Sequence, residues 1–258
     1  VEDLMAENSE NATVKKNGYL ILALASSVLA VIAGISALAA GPGSRLGLWD
    51  FRTGFEILRY CGYTSIVAVL IAIICPLIAR RQKLKCFAAA IPSIAIGMTI
   101  IFILANLWIK SRSVPAIHDI TTDIVNPPKF SSLLPLRAGA INSPEYGGPT
   151  VAIKQLQAYP DIKPLVLEIP PDQAYNDALR TARKMGWDII DADKKDGRIE
   201  ATATTFWFGF TDDIVIRVTP VGQRSIIDMR SESRVGRSDL GKNAERIRQF
   251  LQQLHGND

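Results

Sequence analysis

A histidine, two carboxylates and two threonine hydroxyls fall within six residues, at His118, Asp119, Thr121, Thr122 and Asp123, the densest run of polar functional groups in the chain. Imidazole and carboxylate are metal-ligand types and the usual groups for general acid/base work. A hydrolase could be built from them if folding brought Asp212 and Asp213 alongside. A second chemistry fits the same residues: Asp, Thr and His side chains bond backbone groups in turn-rich segments that lack ladder partners. This second reading is preferred, because one imidazole and two acids with no other histidine nearby make a poor zinc set.

Arg230, Arg234 and Arg237 lie within eight residues, just ahead of Ser238 and Asp239, where a helix is expected to begin. Guanidinium groups beside the free N–H groups of a helix start suit a phosphate, a carboxylate or an anionic lipid headgroup. The competing assignment is internal, with Arg234 pairing to Asp212, Asp213 or Asp239 to fix the turn between strand and helix, and it is preferred. Catalytic motifs are missing: the sequence has no GxSxG elbow, HExxH, phosphate-binding loop, GxGxxG or CxxC. His255, the only other histidine, falls at a chain end where helices fray. An enzyme is therefore the less favoured class, and neither a metal nor a cofactor is expected.

Two kinds of element must hold these groups. The chain has 258 residues, 48% of them hydrophobic, and the apolar excess sits before residue 110, so two units are expected. Gly18 to Ala40 is a run of 23 residues without a charge, enough to cross a hydrocarbon core of about 30 Å at roughly 1.5 Å per residue. Tyr60 to Ala79 and Cys86 to Trp108 are further runs of this kind, containing Pro76 and Pro92; lipid tolerates such prolines where neighbouring helices satisfy the freed carbonyls. Together residues 17–110 read as an all-α region of three transmembrane helices. Lys15, Lys16 and Ala37-Leu38-Ala39 also resemble a cleaved signal peptide, but the apolar run is too long for one and two more spans follow. Ser26, Ala30 and Gly34 form a small-residue stripe suited to helix packing. The three spans hold no acidic or basic side chain, which argues against a transporter or proton path. Residues 1–16 read as a disordered cytoplasmic tail, and the start could be Val1 or Met5.

Loop charge sets the orientation. Arg80-Arg81-Gln82-Lys83-Leu84-Lys85 packs four positive charges into six residues, a cytoplasmic signature. Lys15 and Lys16 then share that side, and everything after Trp108 lies outside an inner membrane. Arg45, Arg52, Arg59, Lys110 and Arg112 fall on the outer side and count against this, with Asp50 and Glu56 among them. Trp49, Phe51 and Phe55, set among charges in residues 41–59, suit a segment resting at headgroup level. Residues 1–114 carry 11 Lys and Arg against 6 Asp and Glu, whereas residues 115–258 carry 18 against 19. The net charge of +4 thus belongs to the membrane flanks, and nucleic-acid binding loses its support. Cys61, Cys75 and Cys86 all fall in or beside apolar spans, leaving none elsewhere for a disulfide or thiolate site.

Pro115, Pro127, Pro128 and Pro135 mark residues 111–164 as an extended linker that packs on the domain after it, with a short helix over Val151–Ala158. Residues 165–258 then read as strand Leu165–Ile169, a helix from Pro170 to Met185, and strands Trp187–Asp193, Arg198–Phe208, one through Ile214, Ile216 and Val218, and Ser225–Ser233. A last helix begins near Ser238 as N-cap, with Leu240, Ala244, Ile247, Leu251 and Leu254 as its core stripe. The fold class is α+β in the order β-α-β-β-β-β-α, a five-stranded antiparallel sheet with two helices on one face. Asp228, Arg230 and Glu232 alternate with Ile227, Met229 and Ser231, which suggests one covered and one wet face.

The segments IHDITTD, NPP.F, YPD..PL, IEATATT, FTDDIVIRV and especially DMRSESRVGRSDLGKNAERI are similar to a bacterial family catalogued as domain of unknown function 1499, over roughly 115–254. The resemblance implies a small α+β domain outside the cytoplasmic membrane and implies no activity. Its motifs match at His118, Asp119, Thr122, Asp123, Asp212, Asp213, Arg230, Ser233, Arg234, Gly236, Ser238, Asp239 and Asn243. The expectation is a membrane-anchored envelope protein whose outer domain binds a partner protein or a small anionic ligand. Membrane lipids and other envelope proteins are its expected partners, and the hydrolase is the alternative.

Overall fold

The structure is a computed structural model that describes residues 18–79 and 82–256. The expected tail over 1–16 and the basic pair Arg80-Arg81 lie outside the described residues. The chain divides into two compact units, residues 1–109 with 207–209 and residues 110–206 with 210–258. We call them the helical unit and the sheet unit.

Helix α1 of the helical unit is described over Gly18–Arg45, α2 spans Phe51–Ile78 and α3 spans Lys83–Ser113. All three are long and apolar enough to cross a membrane. They run past the charge-free stretches read from sequence, because charge limits how much of a helix can sit in hydrocarbon, not where its ladder stops. Asp50 caps α2, its carboxylate accepting a hydrogen bond from the Arg52 N–H at 2.8 Å. Phe51 and Phe55 therefore belong to the opening turns of α2. Ser26 and Ala30 of the small-residue stripe are buried, and Ser27 Oγ donates to the Ala89 carbonyl at 2.6 Å, tying α1 to α3.

The sheet unit is built on six antiparallel strands: β1 (Asp119–Thr121), β2 (Leu165–Leu167), β3 (Asp188–Asp193), β4 (Arg198–Thr204), β5 (Thr211–Val221) and β6 (Arg224–Ser233). Their order is β1-β6-β5-β4-β3, with β2 also pairing along β6. The α+β class, the antiparallel sheet and the helices α5 (Pro171–Lys184) and α6 (Lys242–His255) match the sequence reading. A sixth strand, β1, arises inside the proline-rich segment, where three polar-flanked residues give no alternation to detect. Helix α4 (Gly148–Ala158) completes the unit.

Alternation on β4, β5 and β6 sends Ile199, Ile214, Ile216, Ile227 and Met229 to the core that also buries Ala178, Ala182, Ile247, Phe250 and Leu254 of α5 and α6. Trp187 stacks on Phe250 with ring centroids 5.4 Å apart. Ile247→Ala opens a cavity where α6 meets the sheet and should lower unfolding free energy by about 2–5 kcal/mol. A urea titration of the detergent-solubilised full chain, followed by tryptophan emission, measures this.

Strand β4 stops at Thr204 and not at Phe208. The aromatic run had strand propensity, but Thr205 closes a loop instead: its N–H donates to the Phe210 carbonyl at 2.8 Å and its hydroxyl accepts from the Phe210 N–H at 2.9 Å. Helix α6 likewise begins at Lys242, later than Ser238. Asp239 accepts from the N–H groups of Gly241 and Asn243 at 2.9 and 2.5 Å, so its carboxylate serves the first turn.

The second face of the sheet, expected to be wet, is covered. Residues 122–147 fold across it, with Phe130 and Leu133 packed on Val215. Asp213, Glu200, Arg230 and Glu232 lie beneath, each no more than 2% exposed. A polar residue at every second strand position reads as solvent-facing, but it becomes interior when a second layer brings opposite charges to meet it.

Candidate functional site

The β-register sets the geometry of this polar face. Asp119 of β1 stands opposite Glu232 of β6, which stands opposite Asp213 of β5. Directly opposed residues share a face, so three carboxylates converge. Arg230, two positions along β6, shares that face and sends Nε and Nη2 to the two oxygens of Asp119 at 2.9 and 2.8 Å. Its Nη2 also lies 3.2 Å from Glu232 and donates to the Pro144 carbonyl at 2.8 Å.

Arg137, from the short 3₁₀ turn Leu134–Arg137, supplies the second cation. It reaches Asp213 at 2.5 Å, Glu232 at 2.9 Å and the Asn142 carbonyl at 3.1 Å. Arg234 closes the row, its Nε and Nη2 both on Asp213 at 2.8–3.1 Å. The result is an alternating chain, Asp119, Arg230, Glu232, Arg137, Asp213, Arg234. The Phe130 ring lies under both inner guanidiniums, 4.7 Å from that of Arg230 and 5.3 Å from that of Arg137.

Burial dominates the protonation of Glu232 and Asp119. It pushes the Glu232 carboxyl up to about 8, with Asp119 adding to the rise and Arg137 and Arg230 opposing it. Burial also raises Asp119, against the bonds from Arg230. Tyr146, whose ring faces Arg230, is pushed up to about 12 by burial and by the Asp119 charge.

Neighbouring carboxylates fasten the covering segment. Glu200 accepts from the backbone N–H groups of Ser131, Ser132 and Leu133 at 2.9, 3.2 and 2.8 Å. Asp123 accepts from the N–H groups of Val125 and Asn126 at 3.0 and 2.9 Å and pairs with Arg217 at 3.0 Å. Although burial works the other way, these donors hold Asp123 below the usual carboxylate range. Thr122 Oγ1 donates to Asp228 and accepts from the Met229 N–H, at 3.1 and 2.9 Å. On α4, the Gln155 amide accepts from the Thr121 N–H and donates to the Thr121 carbonyl, at 3.0 and 2.6 Å, standing in for a strand partner at the edge of β1.

The structure thus distributes the sequence candidates. Asp119 and Asp213 share the ionic chain, separated by two arginines and Glu232. Asp212 points to the opposite face, paired with Arg246 of α6 at 2.6 Å. The His118 carbonyl accepts from the Ser233 N–H and the Asn243 amide, at 3.0 and 2.9 Å. Arg230 donates to carboxylates and to the Pro144 carbonyl and Arg234 to the Asp213 carboxylate, Ser238 Oγ donates to the Pro115 carbonyl at 3.3 Å, and Arg237 is exposed. Among the described residues, no group of three or more His, Cys, Asp or Glu side chains is placed to hold a metal ion. Sequence reasoning missed Arg137, at an unpatterned position, and Glu200 and Gln155, which sit within an expected strand and an expected helix without a signal of what they bond; Glu232 was visible only as a member of an alternating run.

Fold and ionic layer define an α+β domain whose sheet is covered by helices on one face and by a buried charge layer under a long loop on the other. The chain belongs to the family described as protein of unknown function (DUF1499), which matches residues 119–254, just over half of its length. The match runs from the first acid of the ionic chain to the last core residue of α6. A comparison with curated proteins gives no match.

Proposed function

We propose that this is a multi-pass protein of the bacterial cytoplasmic membrane whose sheet unit lies on the extracytoplasmic side and acts by binding a partner protein of the envelope. The observation that carries binding over catalysis is the commitment of the candidate cluster: Asp119, Asp123, Asp212 and Asp213 are each held by an arginine at 3.0 Å or less. A general base needs a free proton acceptor beside substrate, and these carboxylates are occupied. The same commitment of Arg230 and Arg234 favours a protein partner over a small anion, because freeing a buried guanidinium leaves its carboxylate uncompensated. Three apolar helices and the basic connector that ends in Lys83 and Lys85 support the anchor and its orientation.

Two measurements test this reading. Alkaline phosphatase fused after Asp258 should be active and a fluorescent protein fused there dark; the reverse pattern would place the sheet unit in the cytoplasm. A photo-crosslinking residue at the exposed Arg237 should give one adduct of fixed mass in native membranes. Adducts that are absent, or that form equally from Lys195, would remove the partner surface from this end of the domain.

A further inference from the structure

We propose that the segment Trp207-Phe208-Gly209 is a lipid anchor seated at the headgroup level of a bilayer, its partner being the lipid surface. This rests on the membrane reading above. Although these residues follow β4 in the chain, they belong to the helical unit, and their contacts there are specific. Proline lacks an N–H, so Pro42 inside α1 leaves the carbonyl four residues earlier, that of Leu38, without its helical donor. The Trp207 indole N–H donates to that oxygen at 3.3 Å. Close by, the Trp49 indole donates to the Ala40 carbonyl at 3.0 Å.

The residues on either side of Pro42 are glycines, and both rings require them. A Cβ at Gly41 would stand 2.5 Å from the Trp207 ring, and one at Gly43 would stand 1.9 Å from the Trp49 ring. Phe208 lies over Gly54, where a Cβ would come within 2.7 Å of its ring, and its centroid is 5.0 Å from that of Phe55. Gly41-Pro42-Gly43 is therefore a seat for two indoles, one of them supplied from a segment remote in sequence.

Depth and chemistry point to lipid as the partner. Leu38 lies about twenty residues along α1 from Gly18, or about 30 Å at roughly 1.5 Å per residue, which is the thickness of the hydrocarbon core. An orphan carbonyl at that border is costly, and an indole, apolar in body with one N–H, is the side chain that favours it. Beside Trp207 opens an apolar groove of about 380 Å³ lined by Leu38, Ile96, Ile103 and Leu104, which suits an acyl chain. Phe206, 89% exposed, precedes the segment and adds another ring of the kind the headgroup layer takes up.

The test uses the full chain in vesicles of phosphatidylethanolamine and phosphatidylglycerol. An environment-sensitive fluorophore is placed at Phe206→Cys, Leu70→Cys in the middle of α2, or Lys195→Cys in the β3–β4 turn, with the labelled wild type subtracting the buried native thiols. The proposal expects blue-shifted emission at 206, most of it quenched by lipids carrying a shallow nitroxide, deep-nitroxide quenching at 70, and water-like emission at 195. Adding Trp207→Ala should abolish quenching at 206 and leave that at 70. Quenching at 70 without quenching at 206 overturns the proposal alone; no quenching at either overturns the membrane reading with it. Equal quenching at 195 and 206 shows adsorption of the whole sheet unit and also overturns it.

Discussion

Arg230→Ala is expected to destabilise the sheet unit by about 3–5 kcal/mol, the range for breaking a buried ion pair from one side. The cause is not the lost attraction alone. Arg230 is 2% exposed and donates to both oxygens of Asp119, to Glu232 and to the Pro144 carbonyl. Its removal leaves Asp119 buried beside Glu232 without an ion-pair partner among the described residues, and opens a space over the Phe130 ring. Denaturant titration of the full chain in detergent would show the loss as a lower midpoint with unchanged slope. Arg230→Lys should recover only part of it, because an ammonium cannot engage both Asp119 oxygens in one plane. A midpoint within about 0.5 kcal/mol of wild type, the scale of an exposed pair, would mean that the ionic layer does not hold the fold.

The second large effect is a pH dependence. Glu232 has a folded-state pKa of about 8, raised first by burial, against an ordinary 4.5. The folded chain therefore binds a proton more tightly than the unfolded chain between those values. The stability this confers is complete below about pH 4.5 and is lost as pH rises through about 8, with a slope of up to about 1.4 kcal/mol per pH unit. Asp119, Asp213, Arg137 and Arg230 are the charged groups acting on it. Asp123, Asp161, Asp191 and Glu245 are held below their ordinary values, so their stabilisation is lost in the opposite direction, as pH falls through the acidic range. Unfolding midpoints between pH 5.5 and 8.5 should thus decline in the wild type and decline less in Glu232→Gln, where Asp119 and Asp239, also raised by burial, still act. A variant with the wild-type slope would assign the proton elsewhere.

The sequence discloses most where one residue type repeats at a fixed period. Ile214, Ile216 and Val218 gave a strand, Ala244, Ile247 and Leu254 the buried face of a helix, and long charge-free runs gave the three apolar helices. Its silence is equally physical. Arg137 follows Pro127, Pro128 and Pro135 in a segment with no period, and its role exists only because residues 122–147 lie across the sheet. Gln155 replaces a strand neighbour by its amide, which no propensity encodes. Trp207 and Phe208 have strand-like character, yet the Thr205–Phe210 bonds and the glycines at 41 and 54 decide their place. Period finds elements; it does not find layers that meet from distant parts of the chain.

The ionic chain from Asp119 to Arg234 also has an accounting of its own. Each inner member touches two neighbours in the row, so the cost of removing one depends on whether the next is still present. Asp119→Ala combined with Arg230→Ala should cost less than the two single changes added together, the difference being a coupling energy of about 0.5–3 kcal/mol. Changes that the domain can absorb along this row are therefore matched ones, in which an acid and its arginine leave together, although the two stand more than a hundred residues apart in the case of Asp119 and Arg230.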